Sequence, residues 1–95
     1  MRITMEDIEG TFDTLVTEMG GKLAENSDDS GAYKISSQSP GDGVKRFKIE
    51  RITSSNSGVT TIMQAQGIRD FYNRMWSAIK ILREVEYNLK YGDDN

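Results

Sequence analysis

The sequence contains neither cysteine nor histidine, and these two absences exclude whole classes of chemistry. Without cysteine there is no disulfide framework and no thiol nucleophile; without histidine the commonest metal ligand and the usual general base near neutral pH are missing. Proline occurs once, in the turn that follows Gln38. No apolar run approaches the roughly 18 residues of a membrane span. The acidic, amphipathic N-terminus does not resemble a signal or transit peptide. A soluble protein without a membrane partner is expected.

The residues that remain build no catalytic or metal signature. Ser54, Ser55 and Ser57 share a loop, but no neighbouring base activates them. Asp28, Asp29 and Asp42 match the spacing of no calcium loop, and Gly41-Asp42-Gly43 lacks both the lysine and the following helix of a phosphate loop. We therefore expect no enzyme, no cofactor and no metal.

At 95 residues the chain makes one small domain spanning 1–95. A fold of that size buries only roughly 60% of the surface its unfolded chain exposes, so a partner subunit would add stability. The net charge of -3 is unevenly spread. Residues 1–29 carry two bases against eight acids, whereas residues 30–90 carry ten bases against five acids. An acidic leading segment thus precedes a basic remainder.

Hydrophobic periodicity divides the chain into five elements and a tail. Thr4 with Glu6 and Asp7 marks a helix start, because threonine caps the first amides and the acids complement the positive helix end. Met5, Ile8, Phe12, Leu15, Val16 and Met19 then share one face, and Gly20-Gly21 ends a helix over 4–19. Lys22 to Glu25 is compatible with a short extra strand, followed by a loop rich in turn formers. Alternation predicts strands over about 32–37, 44–53 and 59–63, joined by turns at Pro40-Gly41 and at Asn56-Ser57-Gly58. From Gln66 to Lys90 the apolar residues Ile68, Phe71, Met75, Ala78, Leu82, Val85 and Leu89 recur in steps of three and four, which lines up one face of a long helix over 66–90. The tail is 91–95. The expected fold is α+β: an N-terminal helix, a three- to four-stranded antiparallel meander, and a long C-terminal helix, both helices packing on the sheet.

Two surfaces are candidates for binding. Lys45, Arg46, Lys48 and Arg51 form either a solvated sheet face that protects an edge or a basic binding face. On the last helix Arg69, Trp76, Lys80, Arg83 and Tyr87 fall within about 60° of one another outside the apolar arc. Two aromatics between three cations either cover a core margin or present stacking planes beside positive charge. The same helix satisfies a coiled-coil repeat for just over three heptads, which either helix-on-sheet packing or helix-to-helix dimerisation explains. Trp76 and Ile81 lie on opposite flanks of the arc as possible dimer contacts. Glu86 falls inside the arc and either meets a base from the sheet such as Arg51 or, as buried carboxylates are uncommon without a partner, lies past the end of the core, which is the expectation.

From Tyr33 to Leu82 the chain resembles a family of small proteins encoded by tailed bacteriophages. The resemblance rests on Phe47-Lys48-Ile49-Glu50-Arg51, the Asn56-Ser57-Gly58 turn, the short strand Val59 to Met63, and Arg69-Asp70-Phe71-Tyr72 opening the last helix. Ser57 stands where a second glycine is usual, and Lys45-Arg46 where glycines commonly precede the aromatic. The resemblance implies a non-enzymatic accessory protein of the host-cell cytoplasm. It would inhibit or sequester a host defence or regulatory component, a protein or a small signalling nucleotide, as a homo-oligomer. The rival expectation is a nucleic-acid-binding module using the basic hairpin with Tyr33 or Phe47 as a stacking platform.

Overall fold

A computed structural model describes residues 2–26, 29–39, 41, 43–53 and 58–92. Along the chain run α1 (Met5–Glu18), β1 (Tyr33–Gln38), β2 (Arg46–Ile52), β3 (Val59–Gln66) and α2 (Ile68–Tyr91). The strands form one antiparallel sheet in the order β1-β2-β3. The expected α+β architecture is therefore the one observed. The turn residues Pro40, Asn56 and Ser57, the serines Ser54 and Ser55, the acids Asp28 and Asp42, and the tail residues Asp93 to Asn95 lie outside the described residues.

Helix α1 starts where its sequence can satisfy the first amides. The Thr4 hydroxyl accepts from the Asp7 amide at 3.2 Å, and the Asp7 carboxylate accepts from the Thr4 amide at 2.9 Å, a reciprocal capping box. It ends in a Schellman arrangement, with Gly21 N–H donating to the Val16 carbonyl and Gly20 N–H to that of Thr17. Gly20 supplies the left-handed φ of 72°. Gly21 also allows a close approach, since a Cβ there would lie 2.6 Å from the Tyr33 ring.

Strand β2 is the centre of the sheet, and its alternation sets the core. Phe47 and Ile49 are buried on the face toward α2, while Arg46 and Lys48 fall on the other face. Phe47 stacks on Phe71 of α2, ring centroids 4.9 Å apart and planes 12° from parallel. Met75 and Ile79 continue that buried stripe, and Ile8, Phe12, Leu15 and Val16 of α1 close over it. α2 packs on β2 and β3, while α1 lies closest to α2 and shares one core with the sheet through Leu15 and Val16 beside Phe47 and Ile49. The sheet is too narrow to hold two helices side by side, so α1 uses the second flank of the α2 arc.

The expected extra strand before Ala32 reduces to a single parallel bridge, Leu23 to Tyr33. Strand β3 runs three residues further than its β-branched core predicts, because Gln64, Ala65 and Gln66 pair with Lys48, Phe47 and Arg46. A bulge between Ile49 and Glu50 leaves Ile62 as an extra residue in β3. Ile62 and Met63 consequently line one cavity although they are neighbours in sequence.

The step from β3 to α2 is made at Gly67, with φ 87° and ψ 157°, a conformation essentially restricted to glycine. This glycine explains why the helix starts at Ile68 and not at Gln66. Helix α2 then outruns the core: every residue from Arg83 to Gly92 is exposed. Glu86 is among them, beyond the core as expected, and pairs with Lys90 at 3.5 Å. Gly67→Ala should lower the unfolding free energy by roughly 1–3 kcal/mol, read from the urea midpoint at unchanged m-value.

Candidate functional site

A polar cleft of about 620 Å³ lies where β2 and β3 meet the first turns of α2. Arg46 and Lys48 reach it from β2, Gln64 and Gln66 from β3, and Asp70 and Arg74 from α2, with Phe47 and Ala65 beneath. The strand register explains part of the grouping, since Arg46 pairs with Gln66 and Lys48 with Gln64, which puts two cations beside two amides on one sheet face, while Asp70 and Arg74 come from α2, on the side of Phe47 and Ala65. The lining holds three cations and one carboxylate, and that carboxylate is engaged. Asp70 accepts from the Gln66 amide at 3.1 Å and from Arg74 Nε at 3.0 Å. The cleft is therefore electropositive, with amide groups placed to donate and accept.

Asp70 ties the cleft to the fold. Its hydrogen bond from the Gln66 amide, then that from the Arg74 guanidinium, hold its carboxyl below the ordinary value of 3.8. The loop before β1 carries a second case. Asp29 accepts from the Glu25 and Asn26 amides at 2.6 and 3.2 Å, and these two bonds depress its carboxyl as well.

The expected binding residues do not form one surface. Arg46 and Lys48 line the cleft, but Arg51, also exposed, does not. It lies beyond the bulge, where strand alternation turns it to the other face. The helix stripe is broken up. Trp76 is half-buried against the core, with Tyr72 edge-on at 6.4 Å. Its indole Nε1 is buried without an acceptor among the described residues, so Trp76 seals the core margin and is no exposed stacking plane. Arg83 is engaged at 3.0 Å by Glu18, fixing α2 to the end of α1. Arg69 and Lys80 remain on the solvent side, and Tyr87 is exposed with its ring against Tyr91, centroids 4.9 Å apart. The proposed aromatic platform of the hairpin is also withdrawn, for Phe47 is 1% exposed beneath Phe71 and Tyr33 packs against the core.

Sequence reasoning missed Gln64, Gln66 and Arg74. Ending β3 at Met63 hid the two glutamines; their spacing around Ala65, continuing the strand alternation, is the signal that would have found them. Among the described residues no three His, Cys, Asp or Glu side chains gather as a metal site, and no helix is long and apolar enough to cross a membrane.

No family model, curated protein or solved structure matches this chain.

Because the Asp70 carboxyl is depressed, the charged form stabilises the fold above the ordinary carboxylate value and that contribution disappears as pH falls through the lowered one. Asp70→Asn should accordingly show a constant loss of stability from neutral pH down to about pH 4, shrinking below it, in urea titrations run at successive pH values.

Proposed function

We propose that the protein is a non-enzymatic accessory protein of phage type that works by capture, holding an anionic component of host defence or regulation in the cleft above β2 and β3. The observation that carries this reading is the grouping of Arg46, Lys48 and Arg74 around an open cavity of about 620 Å³. That volume falls within the range of small-molecule sites. Gln64 and Gln66 on the same wall offer both donors and acceptors, which suits a phosphate-bearing molecule that also has polar ring edges. A small signalling nucleotide fits this chemistry. The phage and host parts of the proposal rest on the resemblance of the hairpin and helix-start residues.

Capture needs no reacting group, only complementary charge and shape. The acidic α1 does not contribute to the cleft lining, so its negative charge leaves the site cationic. The rival reading, a nucleic-acid module, loses its main support with the burial of Phe47, because strand stacking needs an open ring.

Titration calorimetry with a panel of mono- and dinucleotides at low salt tests the proposal. Binding should appear for at least one phosphate-bearing member and weaken by about 10-fold or more in Arg46→Glu/Lys48→Glu, in keeping with loss of charge-assisted contacts. No binding across the panel at millimolar ligand, or binding indifferent to that double substitution, would contradict it.

A further inference from the structure

We propose that a second copy of this chain docks on α2, the two α2 helices lying antiparallel across the apolar groove beside β3. The groove begins as an apolar cavity of about 260 Å³ whose walls include Met19, Ile62, Met63, Ala78, Ile81 and Leu82. Adjoining depressions extend it past Arg74 at one end and past Val85 and Leu89 at the other. Along it Ile62 is 45% exposed, Val85 49%, Ile81 65% and Leu89 76%. Apolar side chains left open in a row, beside an apolar hollow, mark an interface more often than a bare surface.

The helix itself identifies the occupant. Arg74, Ala78, Ile81 and Val85 are spaced four, three and four apart and lie within about 60° of one another on the helical cylinder. α2 has 24 residues, so its midpoint falls between Ile79 and Lys80. An antiparallel copy turned about that midpoint overlaps the whole helix. Ile81 of each copy then stands opposite the small Ala78 of the other, with the hollow beside Met63 open to receive it. Arg74 stands opposite Val85 and next to Glu84 of the second copy, on both sides of the two-fold axis. A parallel arrangement would instead set Arg74 on Arg74, like charge on like charge. Sliding the axis to Val85 would bring the two Glu84 side chains together. Charge complementarity thus selects the antiparallel orientation, the register and a second copy as partner.

The pairing also accounts for the overhang of α2. Residues 83–91 of one helix lie along residues 68–76 of the other, so the exposed turns of each copy gain a neighbour. The proposal rests on the groove and not on the cleft's ligand; the two share only Arg74 among their lining residues.

Sedimentation velocity on the full chain without ligand, from micromolar to millimolar, tests it together with the cysteine-free background. The wild type should dimerise, and Ile81→Glu should weaken the dimer at least about 10-fold with an unchanged circular dichroism spectrum. Should that variant unfold, Glu84→Arg, also at an exposed position, must weaken the dimer by charge alone. Under mild oxidation, a mixture of Ala78→Cys and Ile81→Cys chains should link as the mixed pair. A monomer at millimolar concentration overturns the proposal. So does a dimer indifferent to Ile81→Glu in the folded variant, or preferential linking of Ile81→Cys to itself, which the proposed orientation and register do not produce.

Discussion

The stack of Phe47 on Phe71, 4.9 Å between centroids, joins the central strand to the long helix, and the rest of the molecule depends on it. Around that contact Ile49, Met75 and Ile79 are excluded from water, and α1 is held in place by packing on the helix that the stack positions. A domain this small has one core and little surplus burial. Losing the stack would remove the reference against which both the cleft and the groove are built.

A single helix therefore serves several surfaces along its length. Its first turns, through Asp70 and Arg74, wall the cationic cleft. Its middle seals the core with Met75 and Ile79, and its last turns are exposed. The bulge at Ile62 complements this division. It leaves Arg46 and Lys48 paired with glutamines on one stretch of sheet, and on the other it brings two consecutive apolar residues to the groove. Charge follows the same partition, with acids concentrated on α1 and cations around the cleft.

Much of this was legible from spacing alone. The steps of three and four from Ile68 to Leu89, the capping signal at Thr4 and the alternation around Phe47 and Ile49 all reflect local geometry, and each element formed where its pattern placed it, within a few residues. Boundaries slipped where tertiary pairing overruled local preference. Gln66 read as the start of the last helix, yet the pairing of Gln64 to Gln66 with β2 and the backbone of Gly67 keep it extended. The binding stripe failed for a similar reason. A helical wheel places Trp76 and Arg83 outside the core arc, but it cannot know that α1 widens the buried sector and presents Glu18 to Arg83. Arg46 and Lys48 were found because a central strand with one face covered must leave the other face for its charges.

The account turns on α2 being one helix with a supported half and an unsupported half, and amide hydrogen exchange along it tests that most directly. In dilute protein, amides from Met75 to Leu82 should exchange only through global opening, whereas those from Glu84 to Lys90 should exchange orders of magnitude faster through local fraying. Uniformly slow exchange from Met75 to Lys90 at that dilution would contradict the account.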